Sequence, residues 1–211
     1  MSTRRRLILY SDMESTNNLA LNERLLHWVG HAHPRIGYIS AAPDASRVYF
    51  ERARQCYLAQ GMELSCYVDS NSSADELAAV LACEVIHLSG GNTFSFLHWL
   101  KQRGLLAKLR HYALSGGVLI GVSAGAILMT PSVASAELCA DAREAGLTDD
   151  TALGLVDFHF WPHFEPQQGL EPRLMQLASA LTHLYRCPDG AAIVVEGDQI
   201  ELFGAVQATI R

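Results

Sequence analysis

The stretch Ile120-Gly121-Val122-Ser123-Ala124-Gly125-Ala126-Ile127-Leu128-Met129 decides how this chain is read. Gly117–Ile120 has the apolar character of the end of a buried strand, and Ala124–Met129 that of the start of a helix. Ser123 stands at the joint. Gly121-Val122-Ser123-Ala124-Gly125 fits G-x-S-x-G, in which a serine is held on a tight strand-to-helix turn. The neighbours must be small for strand and helix to approach, and Gly121, Ala124, Gly125 and Ala126 all are. The same residues also suit a plain helix cap, so the turn alone leaves both roles open.

The elbow sits within an alternating pattern. Leu7–Tyr10, Ile36–Ser40, Leu64–Val68, Val85–Leu88 and Val118–Gly121 read as short apolar strands. Between them, Asn17–Val29, Ala45–Gln60, Ala74–Cys83, Thr93–Gln102 and Leu105–Leu114 carry apolar residues at helical spacing. Strands separated by amphipathic helices predict an α/β fold: a doubly wound, mostly parallel sheet with helices on both faces. Beyond Met129 the periodicity loosens. Leu155–Phe160 reads as a strand, Glu171–Leu184 as a helix, and Gly197-Asp198 as the turn of a hairpin between Ala192–Glu196 and Gln199–Phe203.

The 211 residues suffice for a single catalytic domain spanning 1–211. With 49% hydrophobic residues and a net charge of −6, a nucleic-acid partner is not expected. Arg4–Arg6 reads as a strand flank. No apolar run reaches the ~20 residues of a membrane span, and five scattered cysteines suit a reducing cytoplasm. No metal or organic cofactor is demanded.

In a sheet of this kind ligands gather beyond the carboxyl ends of the strands. Ser40–Asp44, Ser89–Thr93, Gly121–Ala126 and Pro162–Phe164 all follow expected strands. Gly90 and Gly91 free the backbone of the second of these loops to present N–H groups, to which Ala124 adds another. A nucleophilic serine needs a base and an orienting acid. Of nine histidines, His27, His98, His111 and His183 fall on expected helices, His31 and His33 in a loop, and His87 within a strand. His159 and His163 lie at and just past a strand end. Asp157, His159 and His163 also raise a metal reading, which the Pro162 break disfavours. The acids stay open on spacing alone: Glu137, Asp141, Glu144, Asp149, Asp150, Asp157, Asp189 and Glu196 all qualify.

Gly90-Gly91-Asn92-Thr93-Phe94, Gly104-Leu105-Leu106, Ile120–Ala126, Pro162-His163-Phe164 and Pro188-Asp189-Gly190 occur in this order over most of the chain. Together they resemble the peptidase E (aspartyl dipeptidase) and cyanophycinase family, serine peptidases on a flavodoxin-like, class I glutamine-amidotransferase-like scaffold. The resemblance implies Ser123 as nucleophile, His163 as general base and Asp189 as third triad member, where the family often has glutamate. It implies Gly90, Gly91, Asn92 and Ala124 as oxyanion or substrate-binding residues, and a small peptide as substrate. Glu137 is the nearest counterpart of a second family acid. An N-terminal aspartate would need a cation, for which Arg143 and Arg173 are the residues at hand, although both read more readily as surface charges. An isopeptide or cyanophycin-like hydrolase, an esterase and a non-catalytic binding protein on the same scaffold are the competing readings. A homodimer is compatible with the sequence.

Overall fold

Tyr10, at the end of the first strand, accepts a hydrogen bond from the Ser123 backbone N–H at 2.9 Å. That bond marks the place around which the chain winds. The computed structural model describes residues 5–14, 19–144, 146–166 and 169–209. Arg4 of the basic cluster and Asn17, the expected start of the first helix, lie outside them.

In chain order the elements are β1 (Arg6–Tyr10), α1 (Leu19–Val29), β2 (Arg35–Ile39), α2 (Val48–Leu58), β3 (Glu63–Val68), α3 (Ala74–Leu81), β4 (Val85–Leu88), α4 (Thr93–Gln102), α5 (Leu105–Leu114), β5 (Val118–Val122) and α6 (Ala124–Ile127). A 3-10 turn (Val133–Cys139), β6 (His159–Trp161), α7 (Pro172–Ala180), β7 (Leu184–Arg186), β8 (Ala192–Glu196), β9 (Gln199–Phe203) and β10 (Gln207–Thr209) follow. The main sheet has the order β3-β2-β4-β5-β1-β8-β9. Its first five strands are mutually parallel, and β8 and β9 extend it as an antiparallel hairpin. This is the mostly parallel α/β sheet that the alternation predicts.

Successive residues of a strand face opposite sides, and both sides are covered. Leu7 and Leu9 of β1 join one apolar core, with Phe94, Leu97 and Leu109 from α4 and α5. Ile8 and Tyr10 join the other, with Leu21 and Leu25 of α1 and Ala53 and Tyr57 of α2. Burial on both faces explains why the strand sequences are apolar throughout rather than alternating. No helix among the described residues is long and apolar enough to cross a membrane.

The second half departs from the sequence expectation. The segment read as one helix, Glu171–Leu184, ends at Ala180, and Leu184 begins strand β7 instead. In place of the strand read at Leu155–Phe160 stands a three-residue one, His159–Trp161. β7 pairs in parallel with β6 and antiparallel with β10, making a separate three-stranded sheet. Leu138, Trp161, Ala178, Leu181 and Leu184 form the small core beneath it. Short strands with few alternations carry too little local signal to be told from a helix end; their pairing is set by distant residues.

The elbow is the tightest joint. A Cβ at Gly121 would stand 2.5 Å from the carbonyl carbon of Gly125, and one at Gly125 would stand 2.3 Å from the Leu88 carbonyl oxygen. Backbone therefore packs on backbone, and neither atom can step aside as a flexible side chain would. We expect Gly125→Ala to lower stability by about 1–3 kcal/mol, read as a fall in the urea midpoint at unchanged slope. An unchanged midpoint would show that the joint can open.

Candidate active site

Ser123 sits between β5 and α6 with φ 51° and ψ −107°. A non-glycine residue there is strained by about 1–3 kcal/mol. The strain is held by three hydrogen bonds: Ser123 N–H to Tyr10 O at 2.9 Å, Gly125 N–H to Ser89 O at 3.0 Å, and Ile127 N–H to Ser123 O at 3.0 Å. The hydroxyl makes no capping bond to its own helix.

His163 follows β6, past Pro162, and has φ 54°. Its Nε2 lies 3.0 Å from the Ser123 hydroxyl. Its Nδ1 lies 2.6 Å from Asp189 Oδ1. The carboxylate can only accept, so Nδ1 carries the proton and Nε2 is left as the acceptor for the serine O–H. Asp189 follows β7. Because β6 and β7 run parallel, with Trp161 opposite Arg186, the loops after both strands emerge at the same edge. Cys187 N–H to Trp161 O at 2.8 Å and Phe164 N–H to Cys187 O at 3.2 Å tie these two loops together.

Ser11 links this pair to the main sheet. It is fully buried beyond β1. Its hydroxyl accepts the His163 backbone N–H at 2.8 Å and donates towards Cys187 O at 2.9 Å, with Asp189 Oδ1 at 3.2 Å. Neither composition nor motif singled this residue out.

Ser123 and His163 open on a cleft of about 260 Å³. Gly90 and Gly91 line it. Gly91 has φ 131°, and a Cβ there would meet that of Ala41 at 2.8 Å. The Ser89 hydroxyl braces this loop, accepting from Ala41 N–H and donating to Gly90 O, both at 2.8 Å. Among the described residues, the Gly91 and Ala124 N–H groups meet no acceptor. The Asn92 side chain is already used: it caps α4 by accepting from Ser95 N–H at 2.9 Å and donates to Ala142 O at 2.8 Å. Neither Asn92 nor Ala124 lines the cleft.

The charged residues are sorted differently from the sequence expectation. Glu137 does not orient His163; it accepts from Arg143 at 3.3 Å and Arg173 at 2.7 Å. Arg143 also grips Asp150 with two hydrogen bonds and lies over the Phe94 ring. Neither arginine lines the cleft. Arg52 of α2 does, together with Glu14, whose carboxylate is 3.7 Å away. Both are more than half exposed and form the rim, while the buried Tyr38 and His87 form the floor. Arg52 carries no local signal for this place: it belongs to a helix far from the elbow in sequence, and only winding of the sheet brings the two together. No cluster of three histidine, cysteine or acidic residues with metal-binding geometry occurs among the described residues.

The sequence profile of Peptidase family S51 matches residues 7–203. This chain belongs to peptidase family S51. The S51 enzymes are serine peptidases, and this chain is peptidase E-like. An uncharacterized peptidase of Pasteurella multocida, PM1590, is 35% identical over 133 residues, covering 60% of this chain and 64% of that protein. A peptidase E of Shewanella amazonensis is 28% identical over 199 residues, covering 89% of this chain and 79% of that one. The fold matches the crystal structure of a candidate peptidase E from Listeria monocytogenes with a TM-score of 0.77, at 23% identity, over 94% of this chain and 98% of that one.

The Ser11 hydroxyl ties the backbone of the His163 loop to the end of β1. Ser11→Ala removes the partner of the part-buried His163 N–H, a loss of about 0.5–1.5 kcal/mol. The expected result is a lowered melting temperature together with slower labelling of Ser123 by a fluorophosphonate. A melting temperature and labelling rate equal to wild type would show that the loop is held without it.

Proposed function

We propose that this S51 chain is an exopeptidase acting on small peptides through Ser123, His163 and Asp189 by way of an acyl-enzyme. The observation that carries this reading is the unbroken relay from Asp189 through His163 to Ser123, at 2.6 and 3.0 Å, beside a confined cleft.

In the proposed sequence, His163 Nε2 takes the Ser123 proton as the oxygen attacks the scissile carbonyl. Asp189 stabilises the imidazolium and holds its orientation. The N–H groups of Gly91 and Ala124 receive the developing oxyanion, each such donor being worth about 3–4 kcal/mol of barrier in comparable sites. The imidazolium then protonates the departing amine, and the C–N bond breaks. Water enters and gives a proton to His163. Its oxygen attacks the ester, and the Ser123 oxygen leaves and recovers its proton.

The cleft's size favours small substrates. Its rim offers Glu14 to a free ammonium group and Arg52 to a substrate carboxylate, that of an N-terminal aspartate included. The exposed Arg52–Glu14 pair is too long for a direct hydrogen bond and weak by its exposure, so a substrate can displace it.

The test is amino-acid release from Asp-X, Glu-X, Asn-X and neutral dipeptides. We expect turnover that vanishes in Ser123→Ala and falls about 10⁴-fold in kcat in Asp189→Asn. Turnover that persists in Ser123→Ala would remove the nucleophile. Full activity in Asp189→Asn would move the orienting acid elsewhere, as an esterase arrangement requires. No turnover of any dipeptide by folded wild type would end the small-peptide reading.

A further inference from the structure

Strand β4 reads Val85-Ile86-His87-Leu88, and all four residues are buried. Three suit a strand covered on both faces. The fourth, His87, is only 2% exposed and places an imidazole where Val or Ile would satisfy the packing. Its ring stacks on Tyr38, with centroids 4.9 Å apart and planes within 15°. Its Nδ1 lies 3.0 Å from the Tyr57 hydroxyl.

The hydrogen-bond inventory assigns the proton. Tyr57 is 0% exposed, and His87 Nδ1 is the acceptor available to its hydroxyl among the described residues. The hydroxyl therefore donates to Nδ1, since the reverse arrangement would bury an O–H with nothing to receive it. The imidazole then carries its own proton on Nε2. Burial keeps the ring uncharged, pushing its pKa down to about 3. His87 lines the same cleft as Ser123, and no protein acceptor meets its Nε2 among the described residues. That N–H is not sealed off in the core but open to the cleft. A ligand oxygen would pair with it; a hydrocarbon pressed against it would bury it unpaired, at a cost in free energy.

Resting on the reading of Ser123 as nucleophile, we propose that His87 Nε2–H is a specificity donor. It selects peptides whose residue on the acyl side of the scissile bond ends in a carbonyl oxygen, over hydrocarbon side chains of equal size. Tyr57 is a positioning residue that sets the tautomer, and Tyr38 holds the ring flat. Being neutral, the donor serves carboxamide and carboxylate alike, and it leaves any preference for charge to Arg52 at the rim. A site built around a hydrogen bond rejects an analogue that lacks the partner more strongly than shape alone allows.

Asparagine and leucine side chains are nearly isosteric, so their amides make the probe. L-asparagine amide and L-leucine amide are titrated as competitors of fluorophosphonate labelling of Ser123. Wild type is expected to be protected by the asparagine compound at a concentration at least about tenfold lower. His87→Leu is expected to level the two, and His87→Gln, whose amide nitrogen restores a donor, to recover the preference. Equal protection by both compounds in wild type would overturn the proposal without recourse to any variant. A preference that survives in His87→Leu would overturn it too. Labelling and dipeptide turnover without amide preference would remove this inference alone; failure of the reagent to label Ser123 would remove the nucleophile reading and this inference with it.

Discussion

Backbone-on-backbone contact at Gly121 and Gly125 is the constraint on which the rest of this structure depends. α6 approaches β5 at Gly121 and β4 at Gly125 until a single methyl group on either glycine would collide with main-chain atoms. That approach brings the Gly125 N–H to Ser89 O, which couples the elbow to the loop carrying Gly90 and Gly91. The strained serine and the glycine loop are therefore parts of one joint. The strain at Ser123 persists because the parallel sheet on both sides, β4 and β1, leaves the turn no other course.

The histidine and the acid come from a different construction. They follow β6 and β7, the parallel pair of the small sheet, and parallel pairing brings both loops out on the same side. Ser11 joins the two constructions by accepting the His163 N–H from beyond the end of β1. The relay thus depends on a hydrogen bond between a residue near the start of the chain and loops near its end. Orientation of the imidazole is distributed over backbone contacts as well as the carboxylate.

Legibility in the sequence followed the range of the interactions. The parallel strands and their helices were readable because each is recorded in a local period. The elbow was readable because the close approach demands small residues within five positions. Gly90, Gly91, His163 and Asp189 could be picked out as a set only through ordered resemblance to a family, since spacing alone left eight acids in contention. β7 was hidden: three residues, Leu184-Tyr185-Arg186, have no period, and β6 and β10 make them a strand. Arg52, Ser11 and Tyr57 were hidden for the same reason, each acquiring its role from neighbours distant in sequence. Glu137 showed the converse. Its position near the elbow in sequence suggested a partner for His163, but two arginines claim it.

The length of the acid has a consequence for how this site can change. Where the family often places glutamate, Asp189 is shorter by one methylene, yet its oxygen reaches His163 at 2.6 Å. The turn that carries it is tied on both sides. It is drawn in by Ser11 N–H to Ala191 O at 3.1 Å on one side of Asp189 and by Cys187 N–H to Trp161 O at 2.8 Å on the other. Carboxylate reach and loop placement are one coupled coordinate, so lengthening the side chain in this setting drives the imidazole off its serine. A longer acid at this position therefore requires the loop that carries it to move as well.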